Sequence, residues 1–185
     1  MKEKIFEKVL AYLYTIEFQK RRLPHAHILI ILAQEHKPQT IADYDTLIFA
    51  EIPNKDSDPL TFETVQKSIM HGPCGTLMPN TPCMRDGKYS KRYTRNFQES
   101  TIENEDGYPL YRHKNNDRTV EVRGIQLDNR WVVPYNPYLT TKYNCHINVE
   151  ICSSIAAIKY LFKYVYKGHD RATIEVRGNN MQEQS

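Results

Sequence analysis

Two apolar segments lying close together near the N-terminus constrain the fold more than any other feature of the chain. Residues 10–18 read LAYLYTIEF and residues 26–33 read AHILIILA, both rich in β-branched and aromatic types, with a short polar stretch between them. Segments of that composition, joined by so few residues, form an antiparallel hairpin. In the second segment Leu29 and Ile31 fall on one face, and Ile28, Ile30 and Leu32 on the other. Both faces are apolar, which predicts a central strand covered on both sides.

Further strands are expected at Thr119–Val122 and at 131–134, joined through Asp128 and Asn129, and at 145–151 after the turn-forming run PYNPY. Together these segments predict a mainly antiparallel sheet. Helices are expected at 61–70, where Thr61 caps after Pro59, and at 153–167, which opens at Ser153 or Ser154 and stops at Gly168. Residues 71–117 have little periodicity and are dense in proline and glycine from Gly72 to Pro82, so they read as a loop-rich insertion held by something other than a core. The hexapeptides TVEVRG at 119 and TIEVRG at 173 read as two similar strands rather than a repeat architecture, because nothing around them recurs. The fold class is α+β.

A chain of 185 residues is long enough for one domain with its own core and too short for two well-formed ones. No apolar run approaches the roughly 20 residues of a membrane span, and no signal peptide is evident, so no membrane partner is expected. Four cysteines without secretory features point to reduced thiols or metal ligands, and hence to cytosol or nucleus. The net charge of +3 does not by itself identify a partner. Local clustering says more: Arg85, Lys88, Lys91, Arg92 and Arg95 interleave with Tyr89 and Tyr93, a pattern suited to DNA as well as to an ordinary solvated loop. Thirteen tyrosines add candidate stacking platforms for bases.

Three constellations bear chemistry. His25 and His27 stand one residue apart on a strand, and the period of two places both imidazoles on one face. Across the hairpin, Glu17 or Gln19 can add an oxygen ligand. Two nitrogens and one oxygen leave positions open for water and a phosphate oxygen, which suits Mg²⁺ or Mn²⁺ better than a closed zinc site. The alternative is a pair of hydrogen-bonded core histidines. In the second constellation, SSIAAIKYLFKYVYKG, residues Ile155, Ile158, Leu161, Phe162 and Val165 form one helical arc. Tyr160 and Tyr164 point away from it, and Lys159, Lys163 and Lys167 line a flank. A phenol titrates near pH 10, so it attacks at neutral pH only beside cations and a polarised phosphate. Third, His71, Cys74 and Cys83 in HGPCGTLMPNTPCM have zinc-like spacing, and either hold a structural zinc or are unligated thiols.

The segments EFQKRRLPHAHIL, AEIP, HGPCG, PCM, YRH, TVEVRG, LDNRWVVPYNPYL, KYNCHINVE and YLFKYVYKGHDRA, taken in order, resemble the N-terminal nuclease domain of Helitron transposases from about Tyr12 to Ala172. That family is similar to the wider class of His-hydrophobic-His (HUH) replication initiators (Rep proteins) and relaxases. The resemblance implies a central antiparallel sheet flanked by helices, with a Rep-like nuclease domain over 1–172 and a tail or linker over 173–185. It also implies a metal-dependent single-stranded DNA endonuclease and strand transferase that forms a 5′-phosphotyrosine link and releases a 3′ hydroxyl during rolling-circle transposition. His25 and His27 then become metal ligands with Glu17 or Gln19. Tyr160 and Tyr164 become the nucleophiles of the two-tyrosine subtype, and Lys163 and Lys167 match the lysines of that tyrosine motif. The implied partners are single-stranded DNA and a helicase domain of the same polypeptide, and the implied location is the nucleus.

Three departures from the family stand out. Arg22 replaces a glycine before Leu-Pro-His, and Tyr89 occupies the family's fourth zinc-like position, a cysteine. The upstream first motif and the following helicase are also lacking, which implies a fragment or decayed copy. The competing function is accordingly a single-stranded DNA-binding domain that no longer cuts.

Overall fold

The computed structural model describes residues 6, 8–18, 24–75, 77–81, 83–85, 88–89, 93–104, 107–152 and 172–176. The chain divides into two compact units, one comprising Met1–Gln39 with Cys152–Ser185 and the other Thr40–Ile151. The architecture is α+β with antiparallel strand pairing, in line with the fold class read from the sequence.

In the first unit, β1 (Val9–Phe18) and β2 (Pro24–Leu32) form the expected hairpin. The strand β7 (Ala172–Val176), within the second of the two similar hexapeptides, pairs antiparallel with the other side of β1. The order is therefore β2-β1-β7. This corrects the placement of β2 as a central strand: among the described strands it lies at the edge, with Ile28 62% exposed. Apolar residues on both faces report which faces can be covered, whereas edge or centre depends on lateral pairing. The lateral partner here comes from the far end of the chain, out of reach of local periodicity. The register sets Glu17 opposite His25 and Thr15 opposite His27. Directly opposed residues share a sheet face, so all four side chains stand on the same side.

The second unit is built around Ile52, Val65, Ile69, Leu127, Val132 and Tyr135, all close to fully buried. Its first helix, α1 (Ile41–Leu47), starts with a capping box: the Thr40 hydroxyl accepts from Asp43 N, and the Asp43 carboxylate accepts from Thr40 N. The next helix, α2 (Pro59–Thr64), begins earlier than the sequence suggested. Asp58 rather than Thr61 is the cap, accepting from Thr61 N, and Pro59 occupies the first turn where its missing N–H costs nothing. From Val65 to Ile69 the helix widens into a π turn.

The short ladder of β3 (Met84–Arg85) and β4 (Lys88–Tyr89) is followed by a hairpin of β5 (Thr119–Val122) and β6 (Ile125–Asp128). Arg123 and Gly124 both take positive φ, 54° and 77°, which is the backbone of a two-residue turn matched to strand twist. Two expected strands are therefore corrected. Residues 131–134 make only an isolated bridge from Val132 to Met70, because Asn129–Trp131 coil into a 3-10 turn and β5 is already paired with β6. Residues 145–151 are irregular and touch the unit through Val149 N, which donates to Pro134 O. A last helix, α3 (Pro137–Tyr143), is capped by Asn136 and ends on Asn144 in the left-handed conformation. Among the described residues, the strands of this unit pair as the two ladders β3-β4 and β5-β6.

The loop-rich stretch 71–117 is secured by the core after all. Cys74 and Tyr93 belong to the main apolar cluster, and Tyr111 packs with Ile48 and Ala50. Buried Asn129 adds a polar node: its amide oxygen accepts from Ile52 N at 2.8 Å, while its NH₂ donates to Lys114 O and to Asn116 Oδ1. Arg112 pairs with Glu51 at 3.2 Å and Asp45 at 3.4 Å. Such a half-exposed ionic network fixes loop geometry more than it adds stability.

Candidate functional site

Two groups of potential metal ligands occupy the two units, and they differ in exposure and closure. On β2 the rings of His25 and His27 stack 4.7 Å apart at an angle of 20°, as strand periodicity requires. Glu17 reaches His27 from β1, its Oε2 3.7 Å from Nε2. His25 is exposed, and His27 and Glu17 are half-buried. The donor set and its shared face suit a hard divalent cation with open positions. Its ligand atoms nevertheless do not gather within 4.8 Å of one another, so rotation of exposed side chains is needed to close it. Gln19 lies outside the described residues.

The second group is His71, Cys74 and Cys83. Among the described residues this is the one set of three His, Cys or acidic side chains whose ligand atoms all lie within 4.8 Å. Cys74 Sγ is 3.9 Å from His71 Nδ1, and the Thr81 hydroxyl sits 3.1 Å from Cys83 Sγ. The His71 ring is clamped by stacking on Tyr93 at 4.0 Å, with Trp131 at 6.1 Å. Its backbone N–H donates to Trp131 O, which ties the site to the core. Ligands of a tetrahedral zinc lie roughly 3 to 4 Å apart, so the trio is close to coordination geometry. Without a cation, burial and then the hydrogen bond with Cys83 push the Cys74 thiol up to about 12. A divalent ion would reverse that preference outright, since metal-bound thiols ionise.

Of the basic cluster, Arg95 is described in full: its guanidinium lies over the Tyr93 ring at 5.2 Å. Arg85 and Lys88 fall on β3 and β4. Lys91, Arg92 and the whole tyrosine helix, with Tyr160, Lys163, Tyr164 and Lys167, lie outside the described residues.

Residues 1–30 match the family model described as the Helitron helicase-like domain at the N-terminus. The matched stretch contains β1 and most of β2, and so carries Glu17, His25 and His27. This relates the hairpin to Helitron proteins. No curated protein matches the chain.

One feature of the second unit escaped the sequence reading. A cavity of about 390 Å³ opens beside Arg95, walled by Tyr108, Leu110, Tyr111, Pro134 and Glu150. Its lining is drawn from four separate stretches, and no single motif announces it. The signal available was YPLYRH, where aromatic, apolar and basic residues alternate.

Proposed function

We propose that the chain is a Helitron-related, metal-dependent single-stranded DNA endonuclease and strand transferase that works through a 5′-phosphotyrosine intermediate. The observation that carries this reading is the His25–His27 pair with Glu17 against it, on a hairpin inside the stretch that matches the Helitron helicase-like domain. His25, His27 and Glu17, with Gln19 as a further oxygen donor, would hold Mg²⁺ or Mn²⁺. The cation would supply Lewis-acid polarisation of the scissile phosphate.

The remaining chemistry belongs to side chains. Tyr160 or Tyr164 attacks phosphorus as the phenolate, forming the tyrosyl O–P bond. The bond to the 3′ oxygen breaks, and that oxygen takes a proton to leave as a hydroxyl. Lys163 and Lys167 favour the phenolate by their charge. Tyrosines one helical turn apart have Cβ atoms about 5 to 6 Å from each other, so two strands can be held in turn, as strand transfer requires. Arg85, Lys88, Lys91, Arg92 and Arg95 supply phosphate contacts. His71, Cys74 and Cys83 hold a structural zinc that braces the loop-rich insertion. The partners are single-stranded DNA and a helicase, and the place of action is the nucleus.

A second reading, a binding domain that no longer cuts, is favoured by one observation: the three hairpin ligands are near one another but not closed. Incubation with labelled single-stranded oligonucleotides and Mn²⁺ separates the two. The nuclease forms a protein–DNA adduct that survives denaturation, and the binding domain shifts the oligonucleotide without one. Tyr160→Phe and Tyr164→Phe each leave a different residual adduct yield, and the double variant leaves none. An adduct with the double variant assigns the nucleophile to another tyrosine.

A further inference from the structure

The cavity beside Arg95 has no role in cleavage as set out above, yet its chemistry is specific. At about 390 Å³ it lies at the small end of the range for small-ligand pockets. Its apolar walls are Leu110, 40% exposed at the surface, and buried Pro134. Apolar surfaces of this kind, with the aromatic ring of Tyr108 beside them, accept a planar ring. The polar groups divide by charge. Arg95 lies over the Tyr93 ring at 5.2 Å, and its planar guanidinium is the fork that matches phosphate oxygens. Exposed Glu150, steadied by a 2.9 Å hydrogen bond from Asn148 Nδ2, places a carboxylate on the same cavity. Deeper in, Tyr111 is pinned by accepting at its hydroxyl from Ile151 N at 2.7 Å, so this wall is preformed.

One cation, one carboxylate and an aromatic slot together describe a ligand with an anionic group, a flat ring and a hydrogen-bond donor on that ring. We propose that this cavity binds one unstacked nucleotide of single-stranded DNA, with Arg95 on its phosphate and Glu150 accepting from the exocyclic amine of the base. The inference rests on the single-stranded DNA reading and adds a selectivity to it. Cytosine, adenine and guanine carry such an amine and thymine does not, so the site discriminates against thymine.

The test measures binding of the full chain to oligo(dC) and oligo(dT) of equal length by fluorescence anisotropy over a series of salt concentrations. Homopolymers offer the cavity the same base in every register. Wild type should bind oligo(dC) about tenfold more tightly, the discrimination expected of one good base contact. Glu150→Ala should remove that preference. Arg95→Ala should weaken both oligonucleotides alike and lower the salt slope by about one, and Arg95→Lys should restore the slope. Equal binding of the two oligonucleotides by wild type, no binding at all, or a preference that survives Glu150→Ala overturns the proposal. Circular dichroism melts of the variants guard against misfolding. Adduct formation with Mn²⁺ is scored on the same wild-type sample. An adduct without base preference defeats the cavity and spares the nuclease, while a preference abolished by Glu150→Ala without any adduct does the reverse.

Discussion

The two units use histidine in opposite ways. On the hairpin, His25 and His27 project from one strand, and their partner Glu17 is brought opposite by pairing register alone. In the second unit, His71 is stacked on Tyr93 and gathered with two thiols beside the core. A pair open on one side costs little to build and leaves room for substrate, whereas a trio gathered around buried Cys74 leaves a tetrahedral ion at most one further position and serves the fold. The difference implies that damage to the first should cost chemistry and damage to the second should cost stability.

The largest expected effect tests the first half of that contrast. His25→Ala with His27→Ala should lower adduct formation with Mn²⁺ by at least about 100-fold, since the developing phosphate charge loses its stabilisation. DNA affinity and melting temperature should stay near wild type, because phosphate contacts come from lysine, arginine and aromatic surfaces. A collapse of the melting temperature would instead make the pair a structural element, and the contrast would fail.

The hairpin and its His pair were the most legible parts of the sequence, and the reason is range. Alternation, a short connection and a spacing of two are local properties, and the structure keeps them. The third strand of that sheet was legible as a strand but not as a neighbour, since its partner lies more than a hundred residues away in the chain. In the second unit the Cys–His spacing showed at once, yet the reason the insertion is ordered did not. Asn129 and Arg112 bind groups far from themselves in sequence, and nothing in DNR or YRH announces those partners. The β6 strand was missed because Asp128 and Asn129 look like turn residues, while the actual turn is Arg123–Gly124, where a non-glycine residue takes positive φ. Helix α1 was missed because its apolar stripe, Ile41, Tyr44 and Leu47, spans under two turns, and its start is marked only by the capping box of Thr40 and Asp43.

A smaller effect is expected from the trio of His71, Cys74 and Cys83. Cys74→Ser with Cys83→Ser should abolish one equivalent of bound zinc, read by native mass spectrometry. It should also lower the melting temperature by roughly 10 °C, as expected for a loss of a few kcal/mol in a domain of this size. Chelation of the wild type should give the same melting temperature as the variant. DNA cleavage at a temperature where the variant remains folded should be nearly unchanged. If wild type carries no zinc after purification in its presence and the double variant melts as wild type does, the trio is a set of packed thiols and an imidazole.

The smallest effect comes from a third use of histidine. His113 is 6% exposed, its ring Nδ1 2.9 Å from Asn129 O on the wall of the unit's core. Burial is the main influence and lowers its pKa below the ordinary 6.5, against the opposing hydrogen bonds with the carbonyls of Asn129 and Ala50. A base with a depressed pKa in the folded state binds fewer protons folded than unfolded. Its contribution to stability is therefore complete above the unfolded value and declines as the pH falls below about 6.5, levelling off under the folded pKa. Within that window the slope of unfolding free energy cannot exceed about 1.4 kcal/mol per pH unit for one group. The measurement is chemical denaturation of wild type and His113→Gln between pH 7.5 and pH 5 on the order of every half unit, a range set around the ordinary imidazole pKa. Glutamine keeps a donor for Asn129 O but has no proton to gain. The difference in stability between the two proteins should shrink as the pH falls, and a difference that stays constant would show that His113 remains equally protonated in both states.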